Sequence, residues 1–134
     1  MPARYMLDTN ICIYIRRNRP AEVLIRFSAL ERGEAVISVI TFGDLRYGAE
    51  KSRLREHAIA ILDEFVGLIP VQPMPLSAAL AYGSIRARLE SRGEVIGNND
   101  LWIAAHARTA ELTLVTNNER EFRRVPGLSV ENWT

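Results

Sequence analysis

The chain has 134 residues, a net charge of +1, 48% hydrophobic residues and 25% charged ones. That length points to a single domain spanning residues 1–134, with a core large enough to need no covalent staples. The lone cysteine, Cys12, excludes an intramolecular disulfide framework, and no run approaches the roughly 20 apolar residues of a membrane helix. Sixteen of the seventeen basic residues are Arg, with Lys51 the only Lys. Arg suits bidentate phosphate contacts, but a GC-rich genome gives the same bias.

Residues 4–7 read as a first strand, and 10–17 as a short helix. A second helix is expected over 21–32, closed by Gly33. "AVISVI" (35–40) is a continuous, largely β-branched run, the pattern of a strand buried on both faces. Residues 42–51 and 53–67 read as helices, and "LIPVQP" (68–73) as a strand weakened by Pro70. A long amphipathic helix spans 76–92 and ends at Gly93, and another spans 100–110. "LTLVT" (112–116) is a strand, 118–123 a helical turn and "LSVENW" (128–133) a last strand. Alternation of this kind predicts an α/β fold with a mostly parallel sheet.

Open parallel sheets bind ligands beyond the carboxyl ends of their strands. Four stretches are expected there: Asp8 after the first strand, Thr41–Asp44 after the second, Asn98–Asp100 opening a helix, and Thr116–Glu119 after the fourth strand. Each acid alone has a structural explanation. Asp8, Thr9 and Asn10 are good N-caps, "TFGD" fits a capping box, and an acid in the first turn after "GN" suits the helix dipole.

Together the acids ask for more. Clustered carboxylates raise one another's pKa unless something positive lies between them. A hard divalent cation such as Mg²⁺ would take these oxygens and keep several waters. Asn118 would add a neutral amide oxygen or position a water. Thr9, Ser38 and Thr116 would hydrogen-bond the carboxylates.

Four blocks, "MLDTNICIYI", "ISVITFGDLRYGAEKS", "IGNNDLWIAAHA" and "LVTNNEREFRRVPGLSVENW", together resemble the PIN-domain ribonucleases, in particular the VapC-type toxins of type II toxin–antitoxin systems. The resemblance covers nearly the whole chain, in order. It implies a three-layer α/β/α sandwich around a central mostly parallel sheet, and Mg²⁺- or Mn²⁺-dependent endoribonuclease activity. It also implies a small VapB-type antitoxin as partner, a homodimer, and a higher hetero-oligomer with the antitoxin. The family's first acid falls on Asp8 and its third on Asp100. The second, usually Glu, falls on Asp44. The fourth, often Asp, falls on Asn118, with Glu119 and Glu121 as nearby alternatives. Asp8, Asp100 and Asp44 are the implied metal ligands. The shorter Asp44 is expected to reach a metal through water, and Asn118 removes a charge that a second metal would want.

No Ser, Cys or His nucleophile arrangement is visible. His57 reads as a surface residue and His106 as a packed one. Arg16, Arg17, Arg19, Arg46, Arg86, Arg88 and Arg92 are candidates for RNA backbone contacts. Relatives sharing the "NNxREFxRVPG" ending include enzymes that cut initiator tRNA, which makes tRNA a family-level expectation. Apolar helix faces around residues 42–67 are expected to receive the antitoxin. Two other enzyme classes fit less well. A phosphoacceptor receiver domain needs a Lys after its last strand, whereas Lys51 follows the second by a whole helix. A DxD phosphatase wants an acid where Asn10 stands. A PIN-fold domain that binds RNA without cutting it is the alternative function. "MPARYMLDTN" turns polar too early for a secretory signal, so a cytoplasmic location is expected.

Overall fold

A computed structural model of the protein describes residues 2–134. The elements in chain order are β1 (Tyr5–Leu7), α1 (Thr9–Arg17), α2 (Ala21–Ser28), β2 (Ala35–Ser38), α3 (Val39–Glu50), α4 (Arg55–Leu68), β3 (Val71–Gln72), α5 (Ser77–Ser91), α6 (Asn98–Thr109), β4 (Thr113–Val115), α7 (Glu119–Phe122) and β5 (Val130–Glu131). The strands form one sheet in the order β3-β2-β1-β4-β5. Every pairing is parallel, with Tyr5 opposite both Ala35 and Thr113.

Side-chain alternation along the strands divides the core in two. Leu7 and Ile37 face α1 and α4, where Ile11, Ile15, Leu62 and Phe65 complete one cluster. Met6, Val36 and Leu114 face the other way, onto Ile85 and Leu89 of α5 and Ile103 of α6. Both faces of the sheet are therefore covered by helices, which is why the strands read as uninterrupted apolar runs. The fold is the expected three-layer α/β/α sandwich. Leu114 is fully buried at the centre of one layer, so Leu114→Ala is expected to cost about 2–5 kcal/mol in urea unfolding.

Several expected elements are shorter or shifted, each for a local reason. β2 stops at Ser38 because the Ser38 hydroxyl accepts the Ile40 amide at 3.1 Å and caps α3. α2 ends at Ser28, and the turn that follows is held by the Glu34 carboxylate, which accepts the Glu31 amide at 3.0 Å and pairs with Arg4 at 3.1 Å. β3 shrinks to two residues because α4 continues through Leu68 and Pro70 has no N–H to donate. Pro70 still contributes its carbonyl, which accepts the Ile37 amide. α6 starts two residues earlier than expected, at Asn98. The fourth and last strands keep only Thr113–Val115 and Val130–Glu131. Among the described residues no helix is long and apolar enough to cross a membrane.

Candidate active site

β1 lies at the centre of the sheet. The chain leaves it outward to β2 and β3, then returns on the other side as β4. The carboxyl ends of β1 and β4 therefore flank a switch point, where the connections diverge and leave a crevice. Asp8 sits in that crevice with no spacer after β1. Its own amide continues the ladder, donating to the Val115 carbonyl at 3.0 Å.

Asp8 also caps α1. Its Oδ1 accepts the Ile11 amide at 3.0 Å, and its Oδ2 accepts the Thr116 hydroxyl at 2.5 Å. Only 6% exposed, it has its carboxyl pKa pushed above the ordinary range by burial, against the pull of those two bonds. The Thr116 oxygen in turn accepts the Asn118 amide at 2.9 Å, tying the turn after β4 to the same point.

Asp44 is half-buried in the second turn of α3. Its Oδ2 accepts the Thr9 hydroxyl at 3.1 Å, and its Oδ1 accepts the Asn99 side-chain amide at 3.0 Å. The capping-box reading of "TFGD" fails, because Ser38 caps α3 and Thr41 already lies inside the helix. Asp44 is thus free of any capping duty.

Asp100 occupies the first turn of α6. Burial raises its pKa to about 6, helped by the charges of Asp8, Glu121 and Asp44, and no hydrogen bond pulls it back. Asp8, Thr9, Asn10, Asp44, Asp100, Asn118 and Phe122 line one cavity of about 140 Å³. No Lys, Arg or His is among those lining residues.

The structure brings all four expected positions, Asp8, Asp44, Asp100 and Asn118, to that one cavity. Ser38 is not with them; its hydroxyl contacts His106 Nδ1 at 3.0 Å in the core. His106 is fully buried and held neutral by that burial, and His57 is exposed on α4, both as expected. Of the two alternatives beside Asn118, Glu119 sits 3.8 Å from Arg123. Glu121 accepts the Asn118 side-chain amide at 3.0 Å and adds its charge to the field on Asp100. Sequence reasoning missed the clamping role of Asn99; its one visible signal is the tandem amide of "GNND". The thiol of Cys12 is raised by burial and by Asp8 nearby, so it is an inert core group.

The donors are hard oxygens with no cationic side chain between them. Among the described residues, no three acidic, His or Cys side chains close on one metal-ligating centre. Oxygen donors of this kind fit a hard divalent cation.

A PIN-domain family model matches residues 5–128. The chain belongs to the PIN-domain family. Within it, this PIN domain groups with the VapC ribonucleases. It is 47% identical to the tRNA(fMet)-specific endonuclease VapC of Shigella flexneri over 131 residues, 98% of each chain. It is 46% identical to a ribonuclease VapC of Haemophilus influenzae over 130 residues, 97% of this chain and 98% of that one. A DNA-bound VapBC complex from Salmonella typhimurium contains a chain that superposes with a TM-score of 0.91 at 41% identity, covering 98% of this PIN domain and 99% of that chain.

Proposed function

We propose that this PIN domain is a divalent-metal-dependent endoribonuclease, the toxin of a type II toxin–antitoxin pair acting in the cytoplasm. The observation that carries this reading is the convergence of Asp8, Asp44 and Asp100 on one cavity that no cationic side chain lines. The ribonuclease names of its relatives and the VapBC complex around its structural neighbour support the same reading.

Asp8 and Asp100 would hold Mg²⁺ or Mn²⁺. Asp8 is the rigid partner, both oxygens being fixed by Ile11 and Thr116. Asp100, unengaged by hydrogen bonds, is the partner whose charge is least satisfied in the bare protein. Asp44, steadied by Thr9 and Asn99, would ligate or orient a water, and Asn118 would line the approach beside Glu121. When bound, the ion would lower the pKa of a water and polarise a phosphoryl oxygen. RNA is the proposed substrate, with initiator tRNA the first to try.

A VapB-type antitoxin is the proposed partner, with a toxin homodimer at the centre of a larger complex. A groove of about 440 Å³ between α1, α3 and α4, lined by Ile13, Leu45, Ala49, Ala58 and Ile61 among others, opens beside Asp44. The antitoxin's C-terminal segment would fill it and send an Arg or Lys toward Asp8 and Asp100.

The test is cleavage of purified tRNA by the purified protein. Products are expected with Mg²⁺ and none in EDTA, and replacing the antitoxin's basic residue by Ala is expected to release cleavage in the intact complex. Cleavage that persists in EDTA contradicts the metal reading. Binding without products in Mg²⁺ supports the alternative, a PIN fold that holds RNA without cutting it.

A further inference from the structure

The acid cavity does not end at its acids. Asn10 lines it, and the Asn10 side-chain amide donates to Asn117 Oδ1 at 3.4 Å. Asn117 donates in turn to the Tyr14 hydroxyl at 2.8 Å. Tyr14 lines a second, more open pocket of about 440 Å³ with Arg17, Arg19 and Pro20. A continuous polar track therefore leads from the carboxylates to a basic pocket.

The geometry of α1 explains the track. Asn10, Tyr14 and Arg17 are spaced four and three apart, which places them on one face of the helix. Asn18 then takes a left-handed conformation, φ 58°, and its amide closes α1 on the Ile15 carbonyl. That turn brings Arg19 into the same pocket as Arg17. From Asn10 to Arg17 the helix rises about 10 Å, so a cation at its far end meets a neighbouring phosphate and not the one beside Asp8.

The chemistry of the track is selective. Of the arginines that suit an RNA backbone, Arg46 is taken by Glu50 and Arg86 by Glu90. Arg16, Arg17, Arg19, Arg88 and Arg92 have no carboxylate partner among the described residues, and of these Arg17 and Arg19 line the pocket at the end of the track. Asn10 keeps its carbonyl oxygen and one N–H uncommitted, and Asn117 keeps one N–H. Exposed amides of this kind match a base edge, and unpaired guanidinium groups match a phosphate.

We propose that Asn10, Tyr14, Arg17, Arg19 and Asn117 form the subsite for the nucleotide adjoining the scissile phosphate. Arg17 and Arg19 hold its phosphate, and the two Asn side chains face its base. The proposal rests on the ribonuclease reading for the words "scissile phosphate", but the contact with RNA is testable without cleavage.

The test is fluorescence anisotropy with a short labelled single-stranded RNA of mixed sequence, in EDTA, over a range of salt. The Arg17→Ala/Arg19→Ala double variant is expected to bind about tenfold more weakly at 0.1 M salt, and its log–log salt slope should fall by about 1.4. Arg32→Ala/Arg108→Ala, before β2 and β4 at the amino edge of the sheet, removes the same charge from the side opposite the acid cavity and is expected to change neither. Asn117→Ala should keep the slope but lose discrimination among the four homopolymers. Unchanged affinity and slope in the first variant, or equal losses in both double variants, overturn the phosphate assignment. Unchanged discrimination overturns the base assignment. If the first variant loses only its grip on the antitoxin, the track is a protein interface and the proposal is wrong. If wild-type protein cuts no RNA in Mg²⁺ while the Arg17/Arg19 losses appear as stated, the ribonuclease reading fails and the RNA site stands.

Discussion

Asp100→Asn is expected to lower RNA cleavage by at least about a hundredfold while making the metal-free protein more stable at pH 7. The first effect follows from removing a proposed metal ligand. The second follows from the field at that position. Asp100 has its pKa raised to about 6, against about 3.8 for an unperturbed Asp, first by burial and then by Asp8, Glu121 and Asp44. The folded protein therefore binds this proton more tightly than the unfolded chain does. Its contribution to stability is fully present below about pH 4, is lost as the pH rises to about 6, and stays lost above that. Asp8 is shifted in the same direction. An Asn at position 100 cannot ionise, so the variant should lose this part of the pH dependence. Thermal melts in EDTA at pH 4 and pH 7 read the effect directly: the drop between the two should be smaller in Asp100→Asn than in wild type. A saturating divalent ion should restore wild-type stability, by about 2.7 kcal/mol at a hundred times its Kd, and should do little for the variant. An equal drop in both proteins would show that burial and the neighbouring acids do not raise Asp100 as described.

Asp44→Ala is expected to reduce cleavage strongly with little loss of stability, and Asp44→Glu to keep or raise it. Had Asp44 capped a helix, its removal would cost about 1 kcal/mol. It caps nothing, since Ser38 starts α3 and Asp44 lies a full turn further on. Its removal frees Thr9, which is half-buried, and Asn99, which is exposed. Water reaches both, so the stability change should stay within about 0.5 kcal/mol. Glu adds a methylene that extends toward the cavity from the same helix face. Rates per folded molecule, set beside the melts of both variants, separate a ligating or water-orienting acid from a merely structural one. A rate in Asp44→Ala equal to wild type would remove Asp44 from the site.

Much of this arrangement is legible in the residues themselves. "YML" followed at once by Asp8 announces a buried strand ending in a carboxylate, and the strand–helix alternation says which edge of the sheet that carboxylate occupies. The misreading at "TFGD" has a physical cause. Ser38 and Thr41 are both good caps, and the choice between them is made by packing: Ser38 is pinned in the core against His106, so the helix starts there and Thr41 is swallowed by its first turn. The Asn99–Asp44 and Thr9–Asp44 bonds join residues 55 and 35 positions apart, and no local pattern encodes such a meeting. Glu121 was visible only as one of two acids beside Asn118. Which of them turns toward Asp100 depends on how the single turn of α7 seats Phe122, which is 1% exposed at the cavity wall.

The cavity lined by Asp8, Asp44 and Asp100 should hold a divalent ion. Isothermal titration of Mn²⁺ into the metal-free protein at pH 7 tests it most directly, with Asp8→Asn and Asp100→Asn alongside. Saturable binding to wild type, weakening as the pH falls below about 6 where protons compete for Asp100, and its loss in both variants is the expected result. Equal binding in wild type and both variants, or no binding to a folded wild-type protein, would contradict it.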